Sequence, residues 1–220
     1  MTNEPLPDSI YATLRARIIA HEFAPGVSVT ESAIASDFGV ARPTAKMAIE
    51  RLVNEGLLHR ETNAAARVPQ LDAADIVDLF NNRSVIEETA VAALSLSATV
   101  SPAAVLAHRA LLADAATGRP FAEHDIEFHR ALVDSQPSPR LAKMHALLMG
   151  EIELCIGQVQ AEHLMDPEDV ATQHQAILDA IIAGHADSAA DRMREHIRQS
   201  RDSLLAFHSK KRPHPESTKP

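Results

Sequence analysis

The sequence predicts a mainly α-helical fold in two parts, and three observations carry that prediction. Aromatic residues are only 3% of the 220, with no Trp and one Tyr, so strands have little to be built from. Only seven Gly interrupt a chain rich in Ala, Leu and Ile. Apolar residues recur at helical spacing along most of the length, broken by turns that contain Pro or Gly.

The first part reads as three helices and a hairpin. Ile10, Leu14, Ile18 and Ile19 share one face of a helix that ends before Phe23-Ala24-Pro25-Gly26. Thr30 suits an N-cap for a second helix, which buries Ala33, Ile34 and Phe38 and stops at Gly39. A third helix starts near Pro43, where a missing N–H has no intrahelical partner to lose. It puts Ala45, Ala48, Ile49 and Leu52 on one face, and Gly56 ends it. Residues 57–61 and 65–68 are then predicted to pair as a hairpin with its tip at Thr62-Asn63-Ala64. Two helices joined by a tight turn and followed by a hairpin outline a winged helix-turn-helix domain over residues 1–70.

Pro69-Gln70-Leu71 reads as a linker, and Asp72 as the cap of the next helix. Helices are expected near 72–96, 102–116, 121–134, 138–163, 167–183 and 187–207, forming a six-helix antiparallel bundle over residues 71–208. Residues 209–220 lack an apolar anchor and are expected to be a disordered tail. No apolar run reaches the ~18 residues of a membrane span and no signal peptide is visible, so a cytoplasmic protein is expected. The single cysteine, Cys155, sits in an apolar helical pattern and reads as an inert buried thiol.

The formal charge of -9 is unevenly spread. Residues 1–70 carry 7 Lys and Arg against 8 Asp and Glu, while residues 71–220 carry 14 against 22. A DNA-binding reading of the first part therefore needs its positive charge concentrated on one surface. In the second part, Asp125 and His129 lie four residues apart on one helix face, and His174 and His196 occupy the last two helices. Converging inside a bundle, they would suit a divalent ion such as Zn, Ni or Mn. With 12 His in the chain, solvated or capping roles compete with that reading, and His124, His145, His163 and His185 are assigned to such roles. Arg83 lies on an inner helix face and suits a carboxylate ligand; the alternative is an ion pair with Glu87, four residues on.

Taken together, residues 8–205 resemble the GntR family of bacterial transcription regulators, in the branch with an all-helical FCD effector domain. The first half of the resemblance rests on the Ile10–Ile19 helix, Pro25-Gly26, residues 30–40, and the stretch from Ala48-Ile49-Glu50-Arg51-Leu52 to Leu57-Leu58. The second rests on Leu79-Phe80, Arg83 with Glu87, Asp125 with Phe128-His129, residues 173–181, and Met193-Arg194-Glu195-His196-Ile197. Six C-terminal helices look more like the vanillate-regulator type than the fatty-acyl-CoA type. The resemblance implies a homodimer that binds operator DNA and responds to a small carboxylate effector held near a divalent metal, Zn first among the candidates. It carries the metal ligands onto Asp125, His129, His174 and His196, the effector contact onto Arg83, and the DNA contacts onto Arg42, Thr44, Lys46, Arg51, Arg60 and Arg67.

The reading helix departs from the family run. Arg42 is retained, Lys46 replaces an Arg, Glu50 stands where a basic residue is common, and the wing tip offers Asn63-Ala64-Ala65 in place of an Arg-Gly pair. Lys reaches a phosphate but loses the bidentate fork that reads guanine. Two other readings use the same residues. One is a member that has lost DNA binding, suggested by Lys46, Glu50 and the wing. The other is a metal-dependent enzyme acting on a small organic acid, for which the sequence supplies no general base, nucleophile elbow or phosphate loop.

Overall fold

The computed structural model describes residues 6–211. Its described elements are α1 (Leu6–Ile19), β1 (Ser28–Val29), α2 (Glu31–Phe38), α3 (Arg42–Asn54), β2 (Ala66–Arg67), α4 (Ala73–Leu96), α5 (Pro102–Ala115), α6 (Ala122–Ser135), α7 (Pro139–Ala161), α8 (Pro167–Ile182) and α9 (Ala186–Lys211). The fold is the mainly helical, two-part arrangement that the sequence predicts.

Local chemistry sets the helix ends. The Thr30 hydroxyl accepts from the Ala33 N–H, and Gly39 closes α2 in the left-handed region at φ 63°, which glycine occupies at little cost. Asp72 and Asp75 form a reciprocal capping box at the start of α4. Proline occupies the first turn of α3, α5, α7 and α8. Leu14, Ile18, Ile49 and Leu52 are buried where α1 packs on α3, and the same contiguous apolar cluster continues through Met149 and Ile152 of α7. Within the bundle, α9 packs along α4, and α5 packs along α6.

Two expectations are corrected. The hairpin over 57–61 and 65–68 shrinks to one bridge, His59 with Arg67. β2 instead pairs antiparallel with β1, in the register Ser28 to Arg67 and Val29 to Ala66. The reason is local: Leu57 and Leu58 turn inward to the core and residues 61–65 are exposed, so the segment has too little alternation to sustain a two-stranded wing. The C-terminal helix also runs on through Lys211, so residues 209–211 of the expected tail are helical; residues 212–220 lie outside the described ones.

Candidate metal centre and DNA-reading surface

Asp125 and His129 project from one face of α6 because they are separated by about one turn. His174 comes from α8 and His196 from α9, and all four are buried. Each offers one ligand atom, and these atoms lie within 4.8 Å of one another. His129 Nε2 faces His196 Nε2 at 3.1 Å, His174 Nε2 stands 3.1 Å from Asp125 Oδ1, and His129 Nε2 is 3.9 Å from that same oxygen. Around a metal bonded at about 2.1 Å, adjacent ligands stand about 3 Å apart, close to the shorter of these separations.

The outward nitrogens determine what the inward ones offer. His129 Nδ1 donates to Glu87 Oε2 at 2.6 Å, and His196 Nδ1 donates to the Gln173 side-chain oxygen at 2.7 Å. A neutral imidazole carries one proton, and in that state the outward bonds leave the two Nε2 atoms facing each other as lone pairs. His174 Nε2 and Asp125 Oδ1 are close but out of hydrogen-bond alignment, leaving both buried atoms without such a partner. Lone pairs held face to face in a buried space fit a shared cation. They do not fit a closed hydrogen-bond network.

The electrostatics agree. Burial pushes His174 down to about 4 despite Asp125 beside it. Burial and the neighbouring imidazoles hold His196 well below its usual range. Burial opposes the charge on Asp125, but His174, His129 and His196 outweigh it and keep the carboxyl below the normal range. Neutral rings at His174 and His196 and a charged carboxylate at Asp125 are protonation states a divalent ion requires of its ligands.

Glu87 organises the wall of the centre. Besides accepting from His129, it accepts from Arg83 Nε at 2.8 Å and from His145 Nε2 at 3.1 Å. Although burial disfavours its charge, Arg83 and His129 hold its carboxyl well below the usual range. The Arg83–Glu87 ion pair anticipated from spacing therefore forms, with both residues 1% exposed, while Arg83 Nη2 stays buried without a hydrogen-bond partner. His145 is corrected from surface to interior: it is 2% exposed and bonded to Glu87. His108 was not singled out by sequence, yet it is buried and its Nε2 donates to the Gln175 side-chain oxygen at 3.1 Å, with its Nδ1 unpartnered. Its helical spacing from Ala104 and Leu111 on the inner face of α5 was the available signal. Phe128 stacks on His174 with centroids 3.8 Å apart and fixes that ring.

In the first half, Arg42 and Lys46 are exposed on α3 with Thr44 half-buried between them, and Lys46 lies 3.5 Å from Glu50. Arg67 is exposed on β2 and reaches the Gly26 carbonyl at 3.0 Å. Arg60 is half-buried, its Nε without a partner. Arg51 sits elsewhere: its guanidinium lies 3.6 Å over the Tyr11 ring and bonds to Glu55 and Asp8, on the side where α3 packs on α1.

Residues 6–68 match the family model of bacterial regulatory proteins, gntR family, and residues 78–199 match that of the FCD domain. The chain belongs to the GntR family. Among its GntR-type relatives, an HTH-type transcriptional regulator from an unstable DNA locus of Streptomyces ambofaciens is 26% identical over 89% of this chain and 83% of its own. The probable D-xylose utilization operon transcriptional repressor of Paenarthrobacter nicotinovorans is 26% identical over 78% and 76%, and the repressor NanR of Cronobacter sakazakii 24% over 96% and 90%. A GntR transcriptional regulator structure from Rhodococcus sp. RHA1 superposes with a TM-score of 0.75 at 24% identity, covering 91% of this chain and 97% of that one. E. coli McbR/YncC shares the fold at a TM-score of 0.70 and 18% identity, covering 93% and 99%. The chain is thus a DNA-binding transcription regulator of the GntR/FCD type, not an enzyme. No described helix is long and apolar enough to cross a membrane.

Proposed function

We propose that this regulator holds a divalent metal, Zn first and Ni or Mn next, through Asp125, His129, His174 and His196, and that a small carboxylate bound beside it modulates operator binding in the cytoplasm. The observation that carries the reading is the convergence of four buried ligand atoms within 4.8 Å of one another, with His129 and His196 Nε2 3.1 Å apart beside unpartnered Asp125 Oδ1 and His174 Nε2. The metal would supply a positive charge and open coordination positions for an anionic ligand. Arg83 Nη2, the one buried guanidinium nitrogen left over by Glu87, is the group assigned to that ligand's carboxylate.

DNA contact is assigned to Arg42, Thr44 and Lys46 of α3, with Arg60 and Arg67 on the wing side. The N-cap of α3 is Ala41, which makes no side-chain cap bond, while Pro43 has no N–H and the Thr44 N–H donates to the Ala41 carbonyl at 3.0 Å, so the phosphate contacts are assigned to side chains. Arg51 is moved to the packing of α1 on α3, because its planar cation is spent on Tyr11, Glu55 and Asp8. A homodimer is the assembly that matches a two-fold operator.

The test is fluorescence anisotropy on DNA from immediately upstream of the protein's own gene and on a scrambled duplex, across a salt series. Specific binding persisting at ~150 mM salt is expected for the natural sequence, where non-specific contacts fade. Equal, weak binding to both duplexes would overturn the assignment of this DNA as operator and favour the reading in which DNA binding has been lost.

A further inference from the structure

The two halves of the chain meet on α7, and one face of that helix is shaped for the contact. Gly150 and Gly157 lie about two turns apart on it. A Cβ at Gly150 would stand 2.2 Å from the Glu55 carbonyl oxygen, and one at Gly157 would stand 1.9 Å from that of Ile19. Only bare backbone fits there. His21 Nε2 adds a bond to the Leu154 carbonyl at 2.8 Å.

Between the two glycines, on the same face, is Glu153, with no exposed surface. An unpaired carboxylate at such a position would be strongly destabilising, but both oxygens of this one are engaged by cations. Oε2 accepts from Arg15 Nη2 of α1 at 2.6 Å. Oε1 accepts from Arg130 Nε of α6 at 2.9 Å and again from Arg130 Nη2. Arg15 belongs to the DNA-reading half, whereas Arg130 follows His129 directly in α6. Beside this link runs a cleft of about 790 Å³ between the halves, bordered by Arg15, Arg51, Arg130 and Lys143. The contact is therefore tight along the α7 glycines and open next to them.

We infer that Glu153 couples the two halves, with Arg130–Glu153–Arg15 relaying the occupancy of the four-residue centre to α1. The inference rests on the metal reading of that centre. Binding there fixes His129 and with it the adjoining Arg130. Because Arg130 and Arg15 share one buried carboxylate, a displacement of the first guanidinium changes the hold on the second, and the cleft gives α1 and α3 room to respond. A single carboxylate bonded from two independent elements is the contiguous physical contact through which such coupling would run.

The experiment is hydrogen exchange on the full chain with and without zinc chloride, for the wild type, Arg15→Ala and Glu153→Gln. In the wild type, zinc is expected to slow exchange in α6, α8 and α9, and in α1 by about fivefold, the lower end of common coupling strengths. In Arg15→Ala, the first three responses remain and the α1 response disappears. Glu153→Gln should behave in the same way. If that variant does not fold, Arg15→Ala decides alone, because there Glu153 keeps Arg130. A wild type in which α6, α8 and α9 respond but α1 does not overturns the coupling and leaves the metal reading standing. An α1 response that survives in Arg15→Ala also overturns it. Zinc without effect on any segment overturns both.

Discussion

Glu153 and Asp125 are both carboxylates buried in the helical bundle, and they are bonded in opposite ways. Both oxygens of Glu153 accept from guanidinium groups, Arg15 on one side and Arg130 on the other. Asp125 Oδ1 has no aligned donor and lies 3.1 Å from His174 Nε2 and 3.9 Å from His129 Nε2. The first arrangement is complete as it stands and holds two elements together. The second leaves buried polar atoms without partners, and it is there that we propose a cation. The same residue class, at similar burial, is structural in one place and receptive in the other, and the sign of the neighbouring groups makes the difference.

The largest effect that separates them comes from metal addition. Zinc at about a thousandfold excess over its dissociation constant should stabilise the native state by about 4 kcal/mol, a rise of roughly 8–16 °C in melting temperature for a chain of this size. Calorimetry should show that rise in the wild type and in Arg15→Ala, but not in His174→Ala. A rise retained by His174→Ala would place the ion elsewhere.

Next in size is Glu87→Gln. It removes the charged acceptor that orients His129, so zinc affinity measured by competition with a chelator should fall about 10–100-fold. The same substitution at the other centre, Glu153→Gln, should leave zinc affinity unchanged and lower stability by about 2 kcal/mol in denaturant melts, from loss of charge-assisted hydrogen bonds. Equal effects of the two variants on zinc binding would erase the distinction drawn between the centres.

A smaller effect is that of pH on the metal-free protein. His174 titrates at about 4 in the fold and near 6.5 when unfolded, so the unfolded chain takes up its proton first as pH falls. Stability from this group is present above 6.5 and is lost progressively down to about 4. Asp125, held below its usual range, acts in the same direction at lower pH. Thermal melts at pH 7 and pH 5 should show the decline, and a flat profile would mean that His174 is not buried as a neutral ring. The smallest effect is that of Arg42→Ala, which should flatten the salt dependence of operator binding by about one phosphate contact, near 0.9 in log–log slope, without altering metal content.

The helices and their caps were legible because they are local. Thr30, Gly39, Pro43 and Asp72 act through their own backbone neighbours and stand where sequence placed them. Asp125 and His129 were legible as a pair by their spacing, whereas the convergence of His174 and His196 with them came from family resemblance, and the fold brings all four together. What escaped was non-local. His145 reads as an unremarkable polar residue until Glu87 of another helix is placed against it, and Glu153 gives no sign in sequence of the two arginines that meet it from α1 and α6. Pairing of Ser28-Val29 with Ala66-Arg67 likewise joins segments about 38 residues apart, where the nearer hairpin partner is the simpler expectation. The stacking of Arg51 over Tyr11 escaped for the same reason, since its position on α3 says nothing of the ring beneath it.

The most direct test of the central claim is a calorimetric zinc titration of chelator-treated protein, with His174→Ala alongside. The account predicts one ion per chain in the wild type and loss of that binding in the variant. A wild type that takes up no zinc, nickel or manganese, or a variant that binds zinc as tightly as the wild type, would contradict it.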